Sequence, residues 1–143
     1  MTPKQKQHQR LFRALTLLWI LLIFSLSLQD GMTSTLSSGF FVNLLSRLLT
    51  SVGLSFERST LSFFIRKSAH FTEYALLGFF ALKSGRLINN VSWFQLMFIV
   101  PWLDEGLQTL IPGRAGTLTD VAIDSLALLC VYGLVWLFRK KSP

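Results

Sequence analysis

The segment RKSAHFTEYALLGFFAL, residues 66–82, is half suited to hydrocarbon and half opposed to it. From Ala75 onward it is wholly apolar. Before that it carries Arg66, Lys67, His70, Glu73 and Tyr74. A charge facing lipid near the bilayer centre costs about 2.5–3.5 kcal/mol on insertion scales. Either the segment lies outside a membrane, or its polar face turns toward other parts of the same protein. The rest of the chain decides between these.

At 143 residues the chain is the size of one domain. Only 15% of its residues are charged, 51% are hydrophobic and the mean hydropathy is +0.50, whereas soluble domains carry about a quarter charged. The apolar residues also fall in long blocks, which argues for an integral membrane protein. The net charge of +7 could suggest nucleic acid, but its placement does not. Lys4, Lys6, Arg10 and Arg13 precede the first apolar block, and Arg139, Lys140 and Lys141 follow the last. Basic clusters at the ends of apolar blocks set membrane orientation, so no nucleic-acid partner is expected. The single Cys130 lies in a Leu/Ala/Val run. It excludes a disulfide framework and a thiolate metal cluster, and reads as a small buried hydrophobe.

Four spans are predicted: Leu11–Leu28, about Ala69–Leu82, about Val91–Ile111, and about Leu118–Phe138. A spanning helix needs roughly 20 residues, so the second is short unless it begins near Phe63. The first has the basic start and apolar middle of a signal peptide, but LSLQDG offers no clear small-x-small cleavage site. It reads as an uncleaved anchor. The positive-inside rule puts the basic N-terminal tail 1–10, the connection with Lys83 and Arg86, and the C-terminus in the cytoplasm. Residues 29–66 and the loop at Pro112-Gly113-Arg114 then lie outside. In the outer connection, Leu36, Phe40, Phe41, Leu44, Leu45, Leu48, Leu49 and Val52 recur at helical spacing. They predict an amphipathic helix, lying in the interface or packing over the bundle. Pro101 is expected to kink the third span just before Asp104. The fold class is an all-α membrane bundle of four spans plus this helix, in a single domain over 1–143.

With this topology the polar residues converge. Five of the seven acids, Glu73, Asp104, Glu105, Asp120 and Asp124, sit toward the outer ends of the last three spans. At 1.5 Å per residue Glu73, Asp104 and Asp124 would lie roughly 5–12 Å below the outer surface. His70 with Glu73 and Tyr74, Asp104 and Glu105 with Gln108, and Asp120 with Asp124 are spaced three or four apart, each set on one helical face. Such groups should face one another across a shared cavity. Five carboxylates meet only Arg66, Lys67, Arg114 and His70. The balance calls for protonated carboxylates, a metal ion or a bound cationic group. A purely structural network of paired polar residues is the bland alternative.

The same residues carry a family resemblance. RKSAHFTEYALLGFF followed by WLDEGLQTLIPGRAGTLTDVAIDSLALL resembles the VanZ-like family of small bacterial membrane proteins, named after a teicoplanin-resistance accessory protein. The family pattern K-x-x-H-F-x-E-Y falls on Lys67, His70, Phe71, Glu73 and Tyr74. Its D-E-x-x-Q falls on Asp104, Glu105 and Gln108, its P-G-R on Pro112, Gly113 and Arg114, and its D-x-x-x-[ND] on Asp120 and Asp124. The match covers about residues 60–138; the N-terminal half agrees in general layout. The resemblance implies a bacterial plasma-membrane protein and a site at these positions, but names no reaction.

Three functions fit. In the first, a membrane enzyme acts on a lipid head group or lipid-linked envelope precursor. His70, Glu73, Asp104 and Glu105 are its candidate catalytic groups, with Glu73 or Asp104 as general base and His70 as acid or metal ligand. Lys67, Tyr74, Gln108, Arg114, Asp120 and Asp124 are candidate binding residues, Arg114 suiting a phosphate or carboxylate. A divalent metal at His70, Glu73 and Asp104 is a candidate cofactor. In the second, the cavity binds an envelope lipid or a lipoglycopeptide without chemistry, with residues 36–52 as a lateral wall. Proton or cation transport is the third, disfavoured by the lack of polar residues in the cytoplasmic halves. H-E-x-x-H and G-x-S-x-G are absent, so enzymatic activity is left open. A homo-oligomer is compatible with so small a bundle.

Overall fold

The computed structural model of the chain describes residues 1–88 and 91–140. Lys141, one of the C-terminal basic residues, lies outside them. The first helix, α1, spans Pro3–Ser27. Thr2 starts it with a capping box: its side chain accepts the Gln5 N–H, and the Gln5 side chain accepts the Thr2 N–H. The basic segment 1–10 is therefore mostly helix rather than a loose tail. At 25 residues α1 is about 38 Å long, which exceeds a hydrocarbon core of about 30 Å by about one and a half turns.

Asp30 caps α2, Gly31–Ser51, by accepting the Thr33 N–H at 2.7 Å. A helix thus covers the predicted segment 36–52 up to Ser51 and begins more than a turn earlier. Next comes α3, Arg58–Lys83. Here the expected start near Ala69 needs correction. The helix has already run three turns before His70, because STLSFFI continues the apolar spacing through Leu61 and Ile65. His70 and Glu73 consequently lie mid-helix.

The third predicted span is also corrected. Val91-Ser92 forms a strand, β2, antiparallel to β1, Arg86–Ile88, so the fold is not purely helical. Ser92 then caps the short helix α4, Trp93–Leu96. A 3-10 turn at Met97–Ile99 leads into α5, Val100–Gln108. Pro101 occupies the first turn of α5, where its missing N–H costs nothing. The expected kink is thus a new helix start. Leu110 and Ile111 fall in the turn beyond α5, and α6 runs Leu118–Lys140.

The central element is α3, which packs on α1, α2 and α6. Its Tyr74, Leu77, Gly78 and Ala81 form a buried stripe at helical spacing. With Ile23, Phe94, Met97, Val100, Ala127 and Leu128 they make the core. Gly78 permits the tight crossing with α6: a Cβ there would meet Leu128 Cδ2 at 3.2 Å.

Contacts from Lys67 to Asp120, His70 to Asp124 and Gly78 to Leu128 advance together, so α3 and α6 run in the same direction. Contacts from Trp19 to Glu73 and Thr16 to Ser84 show that α1 runs opposite. The start of α1, the hairpin and the end of α6 therefore share one end of the bundle. The end of α1 and the loop 109–117 share the other, where Gly31 N–H donates to Pro112 O at 3.3 Å.

Both α1 and α6 are long and apolar enough to cross a membrane. Their apolar side chains turn outward: Leu17, Leu18, Leu21, Leu126, Leu129, Leu134 and Trp136 are each at least 50% exposed. A helix apolar on its outer surface suits lipid, not water. Cys130, expected to be buried, is exposed on this same outer face of α6. Its surroundings there are apolar neighbours along the helix rather than the core.

Candidate functional site

Three stretches deliver the site. Mid-α3 supplies Lys67, His70, Glu73 and Tyr74; the last two turns of α5 supply Asp104, Glu105 and Gln108; the first two turns of α6 supply Asp120 and Asp124. The predicted convergence of the polar residues is observed. Asp124 and Tyr74 are 0% exposed, Asp104 1%, Glu105 4%, Gln108 6% and Asp120 8%. Unpaired charges at such depth would be costly, so their partners matter.

At the rim, Lys67 Nζ donates to Asp120 Oδ1. Asp120 Oδ2 accepts from the Thr117 hydroxyl at 2.9 Å, and the Asp120 N–H donates back to Thr117 Oγ1 at 3.1 Å. This reciprocal pair caps α6. Deeper, the Gln108 amide bridges two carboxylates: Nε2 donates to Asp104 Oδ2 at 3.3 Å and to Glu105 Oε1 at 3.1 Å. Glu105 Oε2 accepts the Thr117 backbone N–H at 2.7 Å. That last bond requires the loop to lie against α5, and Gly116 makes it feasible. A Cβ on Gly116 would sit 2.2 Å from the Glu105 carbonyl oxygen.

His70 Nδ1 lies 3.5 Å from Asp124 Oδ1, at ion-pair distance but outside hydrogen-bond geometry. Asp104 Oδ1, both Asp124 oxygens, His70 Nδ1 and Tyr74 Oη are buried, and among the described residues none has a partner in hydrogen-bond geometry. His70, Asp104, Glu105 and Asp124 each offer a ligand atom, all within 4.8 Å of one another. A set of one imidazole and three carboxylates can hold a divalent cation, or pass a proton among its members. Glu73 is outside this foursome. Of the trio His70, Glu73 and Asp104 anticipated for a metal, Glu73 is thus replaced by Glu105 and Asp124.

Glu73 instead lines a lateral groove of about 540 Å³ between α1, α2 and α3. The groove is walled by Trp19, Phe41, Leu44, Leu48 and Leu76 among others, and Glu73 is the single carboxylate in its lining. The Trp19 indole N–H donates to the Glu73 backbone carbonyl at 2.9 Å and fixes α1 beside it. Glu73 interacts electrostatically with His70, Asp104, Asp124 and Arg114, which joins groove to cluster.

Arg114 is partly committed to structure: its Nη1 donates to the Ser27 carbonyl at 3.1 Å, closing the C-terminal end of α1. It also faces Asp30, whose carboxyl is held below its usual range mainly by the Thr33 backbone N–H and then the Thr33 hydroxyl. Two contributors escaped the sequence reading. The buried Ser27, 4% exposed, brings α1 to the Asp104 carboxylate as a fourth wall; no local signal distinguishes it from other serines. Thr117 did carry a signal, since T-L-T-D is a capping-box spacing. Arg66, offered as a partner for the acids, is exposed and forms no ion pair among the described residues.

Comparison with curated proteins and with solved structures returned no match. The family comparison did, and its model extends well N-terminal of the motif region, through most of α1 and all of α2. By that match over residues 12–139, the chain belongs to the VanZ/LLP1 family, and with its two outward-facing apolar helices it is a membrane protein.

Proposed function

We propose that the protein binds an envelope lipid from the outer leaflet of a bacterial plasma membrane, with the acyl chain in the lateral groove and the head group at the polar cluster. The observation that carries this is the groove itself. A cavity of about 540 Å³ with apolar walls ends at Glu73, whose charged neighbours are the buried groups of the cluster. Each methylene buried there is worth about 0.8 kcal/mol. Apolar walls leading to a few converging polar groups are the usual form of a small-molecule site.

In this reading the chain crosses the membrane four times, through α1, α3, the α4–α5 segment and α6. Both termini are cytoplasmic, and α2 lies in the outer interface as the groove's lateral wall. The grouping of Lys4, Lys6, Arg10 and Lys83 at one end of the bundle supports that orientation. Transport is less well supported. Ile23, Leu77, Ala81 and Leu128 form an apolar layer between the cluster and the Thr16–Ser84 contact near the other end.

The test is lipid mass spectrometry on protein purified in mild detergent. Wild type should retain a lipid that is lost when Leu44→Trp and Leu48→Trp fill the groove. Glu73→Gln should change which head group is retained, or block conversion if the head group is modified. Expression in a host should shift glycopeptide susceptibility, and the groove variant should abolish that shift. Equal lipid content in wild type and groove variant would remove the proposal.

A further inference from the structure

The polar cluster contains more carboxylate than its surroundings neutralise. Glu73, Asp104, Glu105, Asp120 and Asp124 interact with Lys67, Arg114 and His70 as the cations of their surroundings. Lys67 is already committed to Asp120, and Arg114 points one nitrogen at the Ser27 carbonyl. Asp104, Glu105 and Asp124 are left around one imidazole, at depths where ionised groups need a counter-charge.

The hydrogen bonds within the cluster are arranged in a particular way. Gln108 holds Asp104 by Oδ2 and leaves Oδ1 unengaged. Gln108 and the Thr117 N–H hold Glu105 by its two oxygens, each of which keeps a further lone pair. Asp124, fully buried, has neither oxygen engaged, and His70 Nδ1 is likewise free of hydrogen bonds. Outer partners thus fix the carboxylates of α5 while acceptor atoms remain turned inward, as around metal centres. A His70–Asp124 proton bridge, with Tyr74 Oη donating to Asp104, is the competing arrangement that satisfies these atoms without an ion, and a metal-retention assay distinguishes the two.

We propose that His70 Nδ1, Asp104 Oδ1 and an Asp124 oxygen, with Glu105 completing the set, bind one divalent transition-metal ion of the zinc or manganese type. Ligand atoms around a four-coordinate ion with bonds of about 2.1 Å would stand about 3.4 Å apart. One ligand atom from each of these four residues lies within 4.8 Å of the others, a spread that modest side-chain rotations would close on one ion. An imidazole nitrogen in the set selects against calcium and magnesium, which prefer oxygen, and the absence of thiolate selects against copper(I). Tyr74 Oη, fully buried beside Asp104, is positioned to donate to a ligand oxygen. This site does not depend on a lipid being the ligand. A metal there would nonetheless give a head-group phosphate arriving from the Glu73 side a cation to meet.

The test uses the full chain in detergent, stripped with a chelator, equilibrated with Zn²⁺ or Mn²⁺ alone, desalted, and assayed by elemental mass spectrometry. Wild type should retain a single ion per chain. X-ray absorption on the Zn²⁺ form should show one imidazole nitrogen with oxygens in the remaining positions. Asp124→Asn and His70→Gln should each weaken retention at least tenfold, while Lys83→Gln, at the far end of α3, should not. If the two site variants fail to fold, the wild-type stoichiometry and absorption spectrum still decide. No retained ion, retention of magnesium or calcium only, a spectrum without imidazole, or undiminished binding by Asp124→Asn would each overturn the proposal. Metal bound without lipid leaves this site and removes the lipid reading; lipid bound without metal does the reverse.

Discussion

The α3–α6 crossing at Gly78 and Leu128 holds His70 against Asp124, so a wedge placed there should loosen both fold and site. An added Cβ at Gly78 meets Leu128 Cδ2 at 3.2 Å, Leu128 Cα at 3.5 Å and Phe94 Cε2 at 3.7 Å. Leu128 and its neighbour Ala127 are 0% exposed, which leaves little room to retreat. Gly78→Ala gains about 1 kcal/mol of helix propensity. Overpacking a filled core costs about 1–3 kcal/mol, so alanine, at the lower end, should be nearly neutral. Gly78→Leu drives further carbons into Leu128 and Phe94. With overpacking near 3 kcal/mol and a similar propensity gain, its net loss is about 2 kcal/mol, or about 30-fold in the folded-to-unfolded ratio. Leu128→Ala alone should lose about 2–5 kcal/mol. Combined with Gly78→Leu it should recover at least about 1 kcal/mol of the summed losses, because the new side chain fills the vacated space. Reversible unfolding in mixed micelles with SDS as denaturant, followed by tryptophan fluorescence, measures wild type and all four variants. A leucine variant as stable as wild type, or strictly additive losses, would refute this account of the crossing.

Three further outcomes are expected. Gln108→Leu removes the amide that bridges Asp104 and Glu105 and should destabilise by about 1–3 kcal/mol; the same SDS titration reads it. Lys67→Met strands a mostly buried Asp120, the pair's side chains being 22% and 11% exposed. It should cost about 2 kcal/mol, below the 3–5 kcal/mol of fully buried pairs, and adding Asp120→Leu should restore much of the loss. Asp30 gives a pH dependence. Because its folded pKa is depressed below the ordinary 3.8, its contribution to α2 is complete above that value and disappears as pH falls through the folded pKa. Hydrogen exchange at the Thr33 amide, compared with Asp30→Ala, should show protection that persists down to pH 3.8 in wild type and is lost only as pH falls further, and that is absent from the variant throughout.

Much of the site was legible because helical spacing is rigid. The i, i+3, i+4 placement of His70, Glu73 and Tyr74, and of Asp104, Glu105 and Gln108, depends only on 3.6 residues per turn. Opposing acids on neighbouring helices then had to meet wherever the helices packed. Boundaries were less legible. Polar residues in the first half of α3 obscured a helix that apolar spacing alone would have started near Arg58. The strand pair Arg86–Ile88 and Val91–Ser92 was hidden because strands of two or three residues have no periodicity to detect. Division of labour within the cluster was out of reach. His70, Glu73 and Tyr74 sit within two turns of one helix, and rotations of α3 far smaller than spacing can resolve decide which faces the groove and which the acids. Ser27 was invisible for a different reason, since it joins the site through the return of α1 across the whole bundle.

The bond from Arg114 to Ser27 joins residues 87 positions apart. At 5–20 residues per second, synthesis of that interval takes about 4–17 s. For those seconds the first helix waits at the membrane with its last turn open. Glu73 and then Asp104 and Glu105 emerge before the chain has made Thr117, Asp120 or Asp124. The cluster is completed only when the final helix arrives, so the acids that define the protein when finished are its burden while it is being made. A cell that overproduces this chain should therefore lean on whatever shelters half-inserted polar helices, and chains truncated before Leu118 should be cleared rather than accumulate.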